Sequence, residues 1–515
     1  MQARNARVHS HEITPDKNAS SNESARFDIT AKIRSGCPST KRRTLMGTST
    51  EAVSSAALRA NGDTTMLRTV LVVVAEATRK YLLNGWLAAA LTIPIVVCTA
   101  AASDQYDPRN FRVDLQALRT IDAGRQTFRF ATFGSEAFWG DELQLHQAIA
   151  GAKNGGIGPG VSPQAALQLG LKVDVDALPP QVKKAIRTGA LDLTDPSNTL
   201  QLLRLNAVIG LTGTFSGDRL SAVGIQCALC HSTTDNSFAP GIGHRLDGWA
   251  NRDLNVGAII AAAPRLESVA ALLSTDVPTV RKVLASWGPG KFDAELFLDG
   301  RAFQPDGRSA ATLIPPAFGL AGVNLHTWTA WGSVTHWNAL VANLEMHGKG
   351  TFFDPRLDDA VKFPIAAREG FGHIHADEDQ ITPLLPELHV FQLTLNSPSA
   401  PRGSFDASAA QAGRAVFNGK ARCSSCHVPP LFTEPGYNAH SAAEIGIDDF
   451  QAMRSPDGKY RTAPLRGLWT HQKGGFYHDG RFPTLAAVIN HYNEFMSLGL
   501  NAAERYQLEM YLKSL

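Results

Sequence analysis

Two thiols spaced by two residues and followed at once by an imidazole occur twice in this 515-residue chain, as Cys227-Ala-Leu-Cys230-His231 and Cys423-Ser-Ser-Cys426-His427. Thiols one helical turn apart can add across the two vinyl groups of a haem, and the adjacent imidazole is then held beneath the iron as its proximal ligand. From six Cys and 16 His, composition alone would supply about 0.002 such pentads. Two copies therefore predict two covalently bound haem c groups. The competing chemistry, zinc, needs further Cys or His ligands near each pair. The remaining cysteines, Cys37 and Cys98, lie far upstream and leave the body of the chain no thiol for a disulfide.

Further residues could do chemistry beside these groups. His244 follows His231 closely enough to fold over the opposite haem face, as a sixth ligand or a distal acid/base; the alternative is a surface-loop histidine. Glu345 is a carboxylate in an otherwise apolar segment, a setting that raises a pKa and suits proton shuttling, against the plainer role of a helix-surface glutamate. His373 and His375, with Asp377, Glu378 and Asp379, have the composition of a metal-ligand cluster or of a solvated loop. Trp328, Trp331 and Trp337 recur at near-helical spacing, which fits core packing or an electron relay.

The elements that must position these residues read as mainly α. Hydrophobic residues make up 44% of the chain and charged residues 19%, with a net charge of +2, which suits a soluble globular body and gives no sign of nucleic-acid binding. Residues 1–65 are polar with no apolar run and read as disordered. Arg79 and Lys80 precede an apolar run over 82–102 that ends in small residues, so 66–102 reads as an export signal or a membrane anchor. That order fits a chain whose true start is Met66, and a periplasmic location agrees with haem attachment outside the bacterial cytoplasm. Residues 103–396 read as an N-terminal haem domain with loop-rich insertions, in which 232–255 wraps the first haem. The Pro/Gly/Ser-rich 397–404 is a linker, and 405–515 is a C-terminal cytochrome c haem domain. There, a helix over 408–417 ends at Gly419, Pro483 and Thr484 open another, and Asn501 with Glu504 forms a capping box for the last. Leu508, Leu512 and Leu515 give that last helix its apolar stripe.

The stretch from Gly413-Arg414-Ala-Val-Phe417 through the second pentad to Pro464-Leu465-Arg466 and Phe476-Tyr-His478-Asp479-Gly480 resembles the bacterial di-haem cytochrome c peroxidase superfamily, which includes the MauG-type maturation enzymes. The resemblance is specific over 405–515, looser over 220–400 and absent before 200. It implies a peroxide-reacting haem on His231 and an electron-transfer haem on His427. The family's sixth ligand at the second haem follows a Thr-Leu motif by eight residues. Here Thr484-Leu485 leads to Tyr492, with His491 and Met496 as competitors; a phenolate would favour ferric over ferrous iron. Phe297-Leu-Asp-Gly-Arg-Ala302 looks like the family's Phe-Trp-Asp-Gly-Arg-Ala, with Leu298 where a tryptophan would lie between the haems. Glu345-Met346 looks like its downstream Glu-Met, which implies that Glu345 is the distal acid/base. The family's inter-haem Ca2+ is left open, because Thr470 and the Gly474-Gly475 turn replace its usual Thr-x-Pro. By the same resemblance the partners are hydrogen peroxide and a small electron-donor protein, a cytochrome c or a cupredoxin, and a homodimer is left open. The alternatives are an electron-transfer cytochrome without substrate chemistry and MauG-like or oxygenase-like oxidation of a partner or an organic substrate.

Overall fold

The computed structural model describes residues 108–471 and 473–515. The readings of 1–65 and 66–102, with Cys37 and Cys98, lie outside them. Helices account for 44% of the structure, and every sheet among the described residues has two short strands. Among the described residues no helix is long and apolar enough to cross a membrane.

Helix α1, Pro108–Phe130, opens the described chain. A hairpin of β1, Leu211–Ser216, and β2, Arg219–Ile225, pairs antiparallel from Leu211 opposite Ile225 and bulges after Thr214. Strand β2 runs straight into the first pentad, whose last four residues form the single turn α2, Ala228–His231. Gln226 fixes this delivery twice: its backbone N–H donates to Gly210 at 3.0 Å and its side-chain amide to Thr212 at 2.6 Å. Residues 232–255 are more ordered than a wrapping loop, because Ser232–Thr234 and Arg245–Asp247 form an antiparallel ladder. The Asp235 carboxylate organises the turn between them by accepting the N–H groups of Ser237 and His244.

Helix α3, Val334–Leu340, starts at the N-cap Ser333 and continues as a wider π turn, Val341–Glu345. Helix α4, Leu385–Thr394, packs on α1, with Phe128 and Phe391 rings 5.5 Å apart. The two backbones come so close that a Cβ on Gly124 would lie 1.9 Å from the carbonyl oxygen of Glu387, so only glycine fits. After an irregular stretch, Asp406 caps α5, Ala407–Asn418. Thr484 caps α6, Leu485–Phe495, and the Asn501/Glu504 capping box starts α7, Ala502–Ser514. Helices α5 and α7 cross as closely as α1 and α4: a Cβ on Gly413 would lie 1.9 Å from the Gln507 carbonyl oxygen. Phe417, Leu485, Ile489, Leu508, Tyr511 and Leu512 form one core there, and each large side chain buried contributes about 1.5–3 kcal/mol.

Candidate haem sites

The two pentad histidines share one local geometry. Nδ1 of His231 bonds the Pro315 carbonyl at 3.1 Å, and Nδ1 of His427 bonds the Phe432 carbonyl at 3.2 Å. A carbonyl accepts only from an N–H, so both rings carry their proton on Nδ1 and leave Nε2 as a free ligand atom. Burial pushes the pKa of each imidazole down to about 4, which keeps both neutral at ordinary pH.

Cys227, Cys230 and His231 line a cavity of about 280 Å3. Its wall is predominantly apolar and includes Ile225, Leu313, Phe318, Trp328 and Trp337. Burial pushes the Cys227 and Cys230 thiols up to about 12. Among the described residues the first pentad has no neighbouring ligand group for a metal; at the second, the Cys426 thiol lies within 4.8 Å of Glu434 and His440, but Cys423 is not part of that set. Arg461 also lines the cavity, with Nε and one Nη buried and unpartnered. An unpaired buried guanidinium calls for an anion, and a haem brings two carboxylates. Apolar walls, paired thiols, a free imidazole nitrogen and an unmatched cation together fit haem c.

Glu345 lies on the wall of the same cavity, buried, with no partner for either carboxylate oxygen. Burial holds its pKa well above the usual carboxylate range, reinforced by Glu295 and Asp293. Its position is fixed through the backbone. The Trp139 indole donates to the Met346 carbonyl at 2.9 Å, and the Met346 N–H closes the π turn on Val341 at 2.8 Å. Such turns recur where a helix must aim a functional side chain.

His244 does not reach the cavity. Its side chain is 59% exposed and pairs with Asp176 at 2.9 Å, because the Asp235 turn directs it outward. The proposed roles of sixth ligand and distal acid/base are corrected accordingly. The Asp176 carboxylate raises its pKa. His373 and His375 do not converge with their acidic neighbours: His373 turns to Asp358 at 2.8 Å, and Asp379 caps the turn at Thr382. Trp331 is core, its indole donating to Asp354 at 3.1 Å, and Leu298 is fully buried. Trp328 and Trp337 face the cavity.

At the second pentad, Tyr492 is half-buried beside Tyr477, with ring centroids 6.5 Å apart. Burial holds its phenol above the ordinary pKa, and the Cys423 and Cys426 thiols add to that, which puts Tyr492 within electrostatic reach of the pentad. Its competitors are engaged elsewhere. Nε2 of His491 bonds the Ile445 carbonyl at 2.9 Å, and Met496 is 40% exposed. Tyr492→Phe is expected to change the ferric charge-transfer bands of one haem without changing haem content. An unaltered optical spectrum would move the ligand to another residue.

Motif reading missed Arg454, Asp293 and Glu295, because nothing near them in the chain shows that they meet. Arg454 is fully buried and pairs with Asp299 at 2.7 Å and Asp293 at 2.9 Å.

The two pentads, their Nδ1-anchored imidazoles and the apolar cavity make two candidate sites for haem c. No protein-family model matches the chain. The methylamine utilization protein MauG of Methylorubrum extorquens is 28% identical over 189 residues, which cover 32% of this chain and 52% of MauG. The chain thus spans about half the length of the curated relative it matches. Two solved structures overlap it in part: a MauG-like protein associated with microbial copper homeostasis (18% identity, 41% of this chain and 76% of that one, TM-score 0.28) and the hydrazine synthase of Kuenenia stuttgartiensis (18%, 41% and 75%, TM-score 0.25). The similarity to MauG supports the resemblance to the di-haem cytochrome c peroxidase superfamily that the motifs carry.

Proposed function

We propose that the chain is an exported di-haem oxidoreductase that reacts hydrogen peroxide in the cavity between His231 and Glu345. A haem c held by Cys227, Cys230 and His231 would supply the iron for O–O cleavage, and one held by Cys423, Cys426 and His427, with Tyr492 as its candidate further ligand, would supply a redox centre for exchange with a small cytochrome c or cupredoxin. Glu345 carries the assignment, since an unpartnered buried carboxyl on the wall that holds the proximal histidine is destabilising unless it has a task. Its carboxyl can pass a proton to a peroxide oxygen. The apolar wall excludes bulk water, and Arg461 anchors anionic groups. The oxidising equivalents end in water or in a partner oxidised in the manner of MauG. Periplasmic location belongs to the same proposal.

The test is stopped-flow spectroscopy of haem-loaded protein, fully oxidised and half-reduced, mixed with stoichiometric hydrogen peroxide. A rapid change in the Soret band, followed by recovery as a reduced donor protein is oxidised, is the expected result. Two haems that stay low-spin and unreactive in every redox state would leave an electron carrier instead.

A further inference from the structure

We propose that Glu295 is a second proton-carrying carboxyl of this cavity, working with Glu345 and backed by Asp293. The proposal rests on the peroxide chemistry above. Glu295 and Glu345 line one cavity, and behind Glu295 lie Asp293, Asp299 and Arg454, all five at least nine-tenths buried. Arg454 is committed elsewhere. Its Nε and Nη2 donate to the two oxygens of Asp299 at 2.7 and 3.0 Å, and Nη1 donates to the Ala310 carbonyl at 3.4 Å. Asp293 stands 2.9 Å from the same guanidinium without the alignment of a hydrogen bond. Both oxygens of Glu345 and Oε2 of Glu295 have no partner, and Gln451 bonds Glu295.

Asp293, Asp299 and Glu295 therefore share one guanidinium, and Glu345 adds a fourth buried carboxyl beside Glu295 and Asp293. Fully ionised, they would bury three uncompensated negative charges, a far greater penalty than keeping protons bound. The groups that face Glu295 are Arg454, Asp293, Asp299 and Glu345. Burial raises Glu295 to about 7 and Asp293 to about 6 although Arg454 pulls both down, so the protons reside on the two glutamates and are shared with Asp293.

Reducing hydrogen peroxide to two waters breaks one O–O bond, forms two O–H bonds, and consumes two electrons and two protons. The electrons come from the donor protein. Glu345 delivers one proton and Glu295 the other, and the resulting excess of buried negative charge draws replacements from solvent. Because the supply depends on the acid form, the peroxide step is full below pH 7 and falls as the pH rises through it.

The test uses haem-loaded wild type, Glu295→Gln, Glu295→Asp and Gln451→Met. Glu295→Gln is expected to slow the peroxide step at least tenfold at pH 6, to abolish the inflection near pH 7, and to remove one protonated-carboxyl C=O band from the infrared spectrum, at unchanged haem content. Glu295→Asp should restore part of the rate and a band. Gln451→Met removes a bond to Glu295 that lowers its pKa, so the inflection should move to higher pH; this arm stands even if Glu295→Gln does not fold. Wild-type rate and pH profile in Glu295→Gln, or an inflection unmoved in Gln451→Met, would overturn the proposal. A wild type inert to peroxide removes the proposed function instead; the infrared band, lost or kept in Glu295→Gln, then decides whether Glu295 holds a proton.

Discussion

Glu345→Gln is expected to slow the reaction with hydrogen peroxide by about 100- to 10,000-fold, the range associated with loss of a positioned general acid/base. The amide matches the carboxyl in size but cannot release or accept the proton in question. No hydrogen bond is broken by the change, since neither carboxylate oxygen has a partner. The Trp139–Met346 bond and the π turn that aim position 345 are both made by backbone atoms of the turn and stay intact. Haem content and thermal stability should therefore match wild type while the peroxide step collapses. Stopped-flow rates on equal haem, with unfolding curves on the same samples, make the comparison; a loss under threefold would remove Glu345 from the chemistry.

Arg454→Met is expected to destabilise the folded protein by about 3–5 kcal/mol, because removing one partner of a buried ion pair leaves the other charged and unsolvated. Arg454 has no exposed surface, and it joins the turn Ala452–Arg454 to Asp293 and Asp299. The deficit should depend on pH in a defined direction. Asp293 and Glu295 already have folded pKa values raised by burial, and Arg454 is the group that pulls them back. Without it both rise further, so the loss is greatest above pH 7 and shrinks as the pH falls and the carboxyls protonate. Urea unfolding of the holoprotein at pH 6 and pH 8 measures both effects. The double variant Arg454→Met with Asp299→Asn should recover part of the loss, because the pair is then removed together. Equal stability to wild type at both pH values would show that the cluster carries no structural charge.

The sequence by itself determined what is local. Haem attachment requires two thiols and an imidazole within five consecutive residues, so Cys227 to His231 and Cys423 to His427 are legible without any fold. The caps at Thr484 and Asn501 are equally local, since a side chain satisfies an N–H two or three residues on. Only the tertiary structure decided which carboxylates are dry. Glu345, Glu295 and Arg454 are far apart in the chain, and a pKa depends on what burial and neighbouring charge do in space. His244 shows the same limit from the other side: its spacing from His231 suited a ligand, yet a hydrogen bond from its own backbone to Asp235 turns it to Asp176 and solvent. Spacing along a chain sets what can be attached; folding sets which groups lose their water, and with it which of them hold a proton.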